Sequence, residues 1–233
     1  MKAKARRKLL PGVRAKRRPL VRAAGKASSR VLVISLPRLF LYHRGLEDAL
    51  RAGTRVLTSR ELAGRVGRGI SSTQIRKDLS YLGNFGRRGQ GYDVVVLVEK
   101  LARVLGLDRD WRIAIIGFGY LGHALATFLE YREEKFRIAA IFDNDPALVG
   151  TLWHGVRISH ADELERRLPA LGCSIGIITV PAPAAQTAAD RLVNCGITAI
   201  LNFAPVSIKV ASSVAVRTID LASELSILTH HLS

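Results

Sequence analysis

Gly117, Gly119 and Gly122 stand in the order G-x-G-x-x-G, directly after the apolar run 112–116 and before a stretch, 121–131, that reads as a helix. That spacing suits the capture of a pyrophosphate. The first glycine permits a tight turn and the second lets the backbone approach the anion. The third lets the helix pack against the strand with its N-terminus facing the phosphates. Phe118, Tyr120 and Leu121 occupy the positions between them. A second apolar strand, 138–142, ends in Asp143, about where such a motif needs an acid to take the ribose hydroxyls. An acid there disfavours a 2′-phosphate and no arginine stands beside it, so the expected cofactor is NADH/NAD+ rather than NADP(H). A glycine-rich βα turn that binds nothing is the bland alternative. The strand, helix and acid argue against it.

A second constellation lies at residues 71–93. Ser71 and Gln74 have capping-box spacing, Gly83 supplies a stop, and Ile75, Leu79 and Leu82 recur at i, i+4, i+7. The helix so defined turns Thr73, Lys77 and Ser80 outward, with Ser72, Arg76 and Tyr81 beside them, a face shaped to enter a major groove. Residues 84–92 then read as a glycine-jointed hairpin carrying Arg87 and Arg88. An ordinary solvated helix and charge run is the competing reading. An earlier helix over 58–67, opened by the Thr58/Glu61 box, completes a helix-turn-helix, and a helix at 36–51 with Pro37 in its first turn completes a three-helix unit. The whole is a winged helix-turn-helix, with double-stranded DNA as its partner.

Charge supports this division. The net charge is +17; residues 1–30 carry 12 Lys/Arg and no acid, residues 31–108 a net +6, and residues 109–233 a net −1. The excess sits where phosphates would be met.

The elements that must position the glycines alternate as in a doubly wound parallel sheet. A helical segment at 161–168, an apolar run at 174–180 turning at Thr179, Val180 and Pro181, a helix at 183–194, a strand ending in Asn202, Phe203, Ala204 and Pro205, and a strand at 214–219 follow in order. Both turns belong at strand C-terminal ends and border one crevice. The uncharged run 113–129 is too short for a membrane span and carries three glycines. No signal peptide is read, and Cys173 and Cys195 lack metal or redox spacing. The expectation is a cytoplasmic protein without metal or membrane. The last segment, 220–233, carries Leu221, Leu225, Leu228 and Leu232 on a helix too short to stand alone. Its stripe packs on its own domain or on a second subunit; dimeric reading of a palindromic site favours the second.

The stretches QIRKDLSYLGNFGRRGQGYDV, GFGYLGHALA, IFDNDP, TVPAPAAQTAADRLV, ILNFAPV and IDLASEL, in this order, resemble the redox-sensing transcriptional repressor Rex family over residues 36–232. The resemblance implies a bacterial homodimer with winged-helix and NAD(H)-binding Rossmann domains, its last helix swapped into the neighbouring subunit. It implies release from operators of respiratory or fermentative genes at high NADH. Arg76 and Lys77 match the reading-helix cations and Arg87, Arg88 and Tyr92 the wing. Gly117, Gly119, Gly122, Asp143, the 179–181 turn and 202–205 match the cofactor crevice. Arg44 and Asp220 fit two members of an interdomain relay, but Phe128 stands where the family has a tyrosine, so that relay lacks a hydroxyl here.

The chain is therefore expected to be α/β, with a basic disordered arm at 1–30, a winged-helix DNA-binding domain at 31–108, a Rossmann domain at 109–219 and a dimer-swapped helix at 220–233. The arm has two other readings: dispensable residues from an upstream start, or an organellar transit peptide. A non-enzymatic repressor is expected. The rivals are an NAD-dependent dehydrogenase, which needs a proton-transfer residue near the nicotinamide, and a coenzyme A-type nucleotide-binding subunit.

Overall fold

A computed structural model describes residues 26–230 apart from 68, 84, 88–89 and 133–134. The chain divides into two compact units, Met1–Leu105 and Gly106–Ser233.

The first described element is α1 (Lys26–Arg51), so residues 26–30 belong to a helix and not to a disordered arm, and Pro37 lies inside that helix rather than in its first turn. A proline removes one helical hydrogen bond. Here burial of Leu39, Tyr42, Leu46 and Ala49 along one stripe holds the helix nonetheless. After β1 (Val56–Leu57) come α2 (Ser59–Val66) and α3 (Ser72–Ser80). The Thr58/Glu61 box forms in full: Thr58 Oγ1 accepts the Glu61 N–H at 3.2 Å, and Glu61 accepts the Thr58 N–H at 2.7 Å. These bonds hold the Glu61 carboxyl below its ordinary value. The Ser71 box forms only by half. Ser71 Oγ accepts the Gln74 N–H at 3.1 Å, but the Gln74 amide turns to Asp78 Oδ1 at 2.7 Å. Tyr81, not Gly83, closes α3.

Strands β2 (Gly86–Arg87) and β3 (Gly91–Asp93) form the expected hairpin, and β1 adds to it in the order β1-β3-β2. A fourth helix, α4 (Val94–Leu105), starts immediately, with Asp93 accepting the Val96 N–H at 3.1 Å. Val94, Leu97 and Leu101 of α4 close the core against α1, Leu62 of α2, and Ile75 and Leu79 of α3.

The second unit is built on a seven-stranded sheet. Its strands are β4 (Trp111–Ile116), β5 (Phe136–Asp143), β6 (Leu152–Trp153), β7 (Val156–His160), β8 (Ile175–Ile178), β9 (Ala199–Asn202) and β10 (Ala215–Thr218). The order is β10-β9-β8-β4-β5-β7-β6, all parallel except the edge strand β6. Chain direction reverses its spread between β4 and β8, the switch point at which such sheets bind ligands. Helix α5 (Tyr120–Arg132) follows β4 and α7 (Ala182–Asn194) follows β8. The helix expected over 161–168 is a short α6 (Leu164–Arg167) between two 3-10 turns, because Pro169 opens the second turn and Gly172 ends it in a left-handed conformation. Isoleucines 113, 115, 138, 141, 158 and 177 form the core on one sheet face; Ala114, Ile116, Phe142, Ile178 and Leu192 belong to the core on the other. The last helix is α8 (Leu221–His230). Among the described residues no helix is long and apolar enough to cross a membrane.

Candidate dinucleotide cleft and nucleic-acid interface

Gly117 ends β4 with φ +91°, a conformation that side chains other than glycine rarely adopt. Gly122 is required by contact: a Cβ there would lie 2.2 Å from the Gly117 carbonyl oxygen, which the helix approaches directly. A Cβ on Gly119 would meet nothing within 4 Å, so its backbone faces open space. The three glycines thus divide as their spacing predicts into turn, approach and packing. Thr179, at the end of β8, staples this loop, its hydroxyl donating to the Gly117 carbonyl at 2.6 Å. The staple ties the two strands of the switch point together.

A cleft of about 520 Å³ opens here, lined by Gly117, Gly119, Asp143, Thr179, Val180 and Pro181 of the expected set. Asn144 and Leu164 and the α7 residues Ala184, Thr187, Ala188 and Arg191 complete much of its wall. Sequence spacing gave no sign of these. Arg191 is held by Glu165 at 2.5 and 2.6 Å, which brings that carboxyl down to about 2. Asp143 Oδ1 accepts the Asp145 N–H at 2.8 Å and Oδ2 accepts the Phe118 N–H. Each oxygen keeps a lone pair, so the carboxylate can also accept from a ribose diol. The free N–H groups of the first turn of α5 and the open backbone of Gly119 fit a pyrophosphate, and the acid fits an unphosphorylated ribose. NAD(H) suits this donor and acceptor set.

Other expected cleft residues sit elsewhere. Phe118 is buried edge-on to His123 and Trp153, so only its backbone faces the loop. Tyr120 is fully exposed and Leu121 partly so, and neither lines the cleft. Asn202 is fully buried and shapes the turn that contains it: its amide donates to Val206 O at 2.8 Å, and its Oδ1 accepts the Ala204 N–H at 3.0 Å. Phe203 packs against the core beside β4 and Ala204 is buried; Pro205 is exposed. This turn follows β9 at the same sheet end as Thr179, since Ile178 and Asn202 are register partners, but it lies outside the cleft lining.

In the first unit, Thr73, Arg76, Lys77 and Ser80 are exposed on α3 and Ser72 is half-buried, with Ile75 and Leu79 beneath them. Arg76 is not loose. It donates to Ser59 Oγ at 2.9 Å and Thr73 Oγ1 at 3.0 Å, linking the reading helix to the start of α2. Lys77 extends without a described partner, and the Ser80 hydroxyl bonds back to the Lys77 carbonyl at 2.7 Å. Tyr92 is half-buried in the middle strand of the small sheet, and burial pushes its phenol up. It is a strut of the wing rather than its tip. Gly86 and Arg87 pair with Tyr92 and Gly91 in backbone register, while Arg88 and the side chain of Arg87 lie outside the described residues.

Asp78 went unread in the sequence. It is buried on the inner side of α3, where Arg38 of α1 donates to both oxygens at 2.7 and 2.9 Å. The Tyr42 hydroxyl donates at 2.8 Å and the Gln74 amide at 2.7 Å. Burial alone would raise this carboxyl; the bonds from Arg38, Tyr42 and Gln74 and the Arg38 charge outweigh it and hold it low. Four donors on one carboxylate lock the orientation of α3 against α1.

Of the residues expected to couple the domains, Arg44 and Asp220 are exposed, and Phe128 is 55 % exposed. Asp220 caps α8 through the Ala222 N–H at 3.0 Å. Leu221, Leu225, Ile227 and Leu228 on that helix are all more than half exposed; Leu232 lies outside the described residues.

Residues 108–206 match the CoA binding domain family and residues 34–80 the family described as putative DNA-binding protein N-terminus. The redox-sensing transcriptional repressor Rex of Streptomyces griseus is 45 % identical over 214 residues, covering 92 % of this chain and 82 % of that protein. The Rex of Desulfitobacterium hafniense is 45 % identical over 195 residues, covering 84 % and 92 %. The crystal structure of RSP in complex with β-NAD+ and operator DNA matches with a TM-score of 0.79 and 36 % identity, covering 87 % of this chain and 91 % of that one. RSP in complex with β-NADH matches with a TM-score of 0.73 and 34 % identity, covering 90 % and 94 %. With the glycine cleft, the anchored reading helix and relatives of this identity along nearly the whole chain, the protein belongs to the Rex family of redox-sensing transcriptional repressors.

Proposed function

We propose that this chain represses transcription by binding palindromic operator DNA as a homodimer, and that NADH in the glycine cleft releases it while NAD+ does so far less. The observation that carries this is one chain with two sites of different chemistry, an exposed cationic helix α3 in one unit and a glycine-lined cleft bordered by Asp143 in the other. Ser72, Thr73, Arg76, Lys77, Ser80, Arg87 and Arg88 face the duplex, and Tyr92 supports the wing. Gly117, Gly119, Gly122, Asp143, Thr179, Val180 and Pro181 receive the cofactor, the nicotinamide end supplying the redox difference that is sensed. The apolar stripe Leu221, Leu225, Leu228 seats on the second subunit, and Arg44 and Asp220 bias the domain orientation without a tyrosine at Phe128. The basic residues 1–25 that precede α1 add affinity for any DNA, and the protein works in the bacterial cytoplasm.

A regulator rather than an enzyme suits the cleft. Its charged lining residues are Asp143, already hydrogen-bonded, and Arg191, paired to Glu165; among the described residues no His, Lys or Tyr lines it to move a proton. A tenfold change of operator affinity needs NADH to favour the released state by about 1.4 kcal/mol, an ordinary allosteric coupling. Titrating operator binding at fixed total NAD(H) with varied NADH/NAD+ ratio tests the reading. Equal affinity at saturating NADH and saturating NAD+ would remove it.

A further inference from the structure

A groove of about 650 Å³ runs along β4, β5 and β7, from Asp110 and Arg112 at the start of β4 to Phe142, a residue that also lines the glycine cleft. Four arginines line it: Arg112, Arg137, Arg157 and Arg167. This concentration runs against the composition of its unit, for residues 106–233 hold 11 Lys/Arg against 13 Asp/Glu. Arg112 and Arg137 are register partners on adjacent parallel strands and so stand side by side on one face. Like charges placed so destabilise a sheet unless an anion lies between them. The acids nearby answer only part of this charge. Asp110 sits 3.5 Å from Arg137 and Glu163 sits 3.3 Å from Arg167, while the Arg112 guanidinium makes no hydrogen bond or ion pair with a described residue.

Two further features shape the groove. The register of β4 against β5 shifts between Ile113 and Ala114, leaving Ala139 as an extra residue in the groove wall. Such bulges re-aim the side chains beside them and recur next to binding sites. Ser159, buried to 4 % exposure, accepts a bond from Arg167 at 2.5 Å that holds this guanidinium over the groove. Phe142 and Leu171 add apolar wall.

We infer that this groove binds a phosphate-bearing small molecule, independently of the glycine cleft. Guanidinium forks match phosphate oxygens two at a time, and a phosphate group brings enough charge to neutralise the Arg112–Arg137 pair in one contact. The apolar wall takes the organic part of the ligand. The inference concerns the second unit alone and does not depend on the DNA reading.

The test is calorimetric titration of the full chain with inorganic pyrophosphate, NADH being present at saturation to fill the glycine cleft. The double variant Arg112→Gln, Arg137→Gln alters exposed side chains only. We expect pyrophosphate to bind the wild type with a Kd below about 1 mM and the variant at least about tenfold more weakly, with NADH affinity unchanged. Three results would overturn the inference: no wild-type binding below that limit, equal binding to wild type and variant, or tighter binding of citrate than of pyrophosphate. A variant that instead flattened the salt dependence of operator binding would assign the groove to the DNA backbone and likewise overturn it.

Discussion

Asp78→Asn changes one oxygen to a nitrogen on the inner side of α3 and leaves every exposed residue of the reading helix in place. Removing one partner of a buried ion pair costs about 3–5 kcal/mol, because the other charge is left behind. The Arg38 side chain is 31 % exposed, so water recovers part of its solvation, and the expected loss is nearer 2–3 kcal/mol. For a unit of this size that corresponds to a fall in Tm of about 10–20 °C. The folded carboxyl lies below its unfolded value, so the wild type enjoys this stabilisation at neutral pH and loses it as pH falls through the folded value. The gap between wild type and variant should therefore be full at pH 7 and close in acid, below about pH 4. Because Asp78 fixes the angle of α3, operator affinity measured where both proteins are folded should fall more than affinity for random duplex. Urea melts across the pH range and binding isotherms on both duplexes read these effects. A variant within about 0.5 kcal/mol of wild type at pH 7, or a gap that widens in acid, would refute the account of Asp78 as the anchor of the reading helix.

Other outcomes follow from the two sites. Asp143→Ala should lose discrimination between NADH and NADPH in fluorescence titrations, because the carboxylate both accepts ribose hydroxyls and repels a 2′-phosphate; retained preference would place specificity elsewhere. Gly122→Ala puts a Cβ 2.2 Å from the Gly117 carbonyl oxygen, so the loop must shift and NADH should bind at least about tenfold more weakly, with operator affinity no longer responsive to NADH. Lys77→Ala should cost about 1–3 kcal/mol on the operator if the ammonium reads a base edge, with relaxed sequence preference across an operator library. Deleting residues 1–25 should lower affinity for all duplexes alike and flatten the log–log salt slope, leaving the ratio of operator to random DNA nearly unchanged; lost discrimination with intact random-duplex affinity would reverse these two assignments.

Features legible in the sequence were those whose physics is local. The glycine spacing encodes a turn, an approach and a contact within six residues, and Gly117, Gly119 and Gly122 take those three roles. The Thr58/Glu61 box closes over four residues and forms as read. The Ser71/Gln74 pair has the same spacing yet forms by half, because Asp78 one turn later competes for the glutamine amide. That competition is decided by tertiary structure: Asp78 is ionised and buried only because Arg38 and Tyr42, 40 and 36 residues away, come to it. Its position was visible, since Asp78 falls on the same stripe as Ile75, Leu79 and Leu82, but a charge within an apolar stripe does not name its partner. Helix α4 went unread for a related reason. Val94-Val-Val-Leu-Val has the β-branched composition of a strand, and the helix wins through the Asp93 cap and through burial of Val94, Leu97 and Leu101 against α1. The β6–β7 hairpin was missed because two residues of β6 carry no periodicity.

The last helix marks the boundary of what one chain can determine. Its leucine spacing was plain in the sequence, and α8 forms with Asp220 as its cap. Ten residues of helix are marginal in water without tertiary packing. Leu221, Leu225, Ile227 and Leu228 nevertheless stay between 54 % and 63 % exposed. Among the described residues nothing buries this stripe; if association does, α8 should be protected from hydrogen exchange only at concentrations where the dimer forms. Leu225→Lys should shift the sedimentation equilibrium toward monomer and weaken operator binding, because a half-site reader loses its second contact, while NADH affinity stays as it was. A variant that remained fully dimeric would return the stripe of α8 to its own domain.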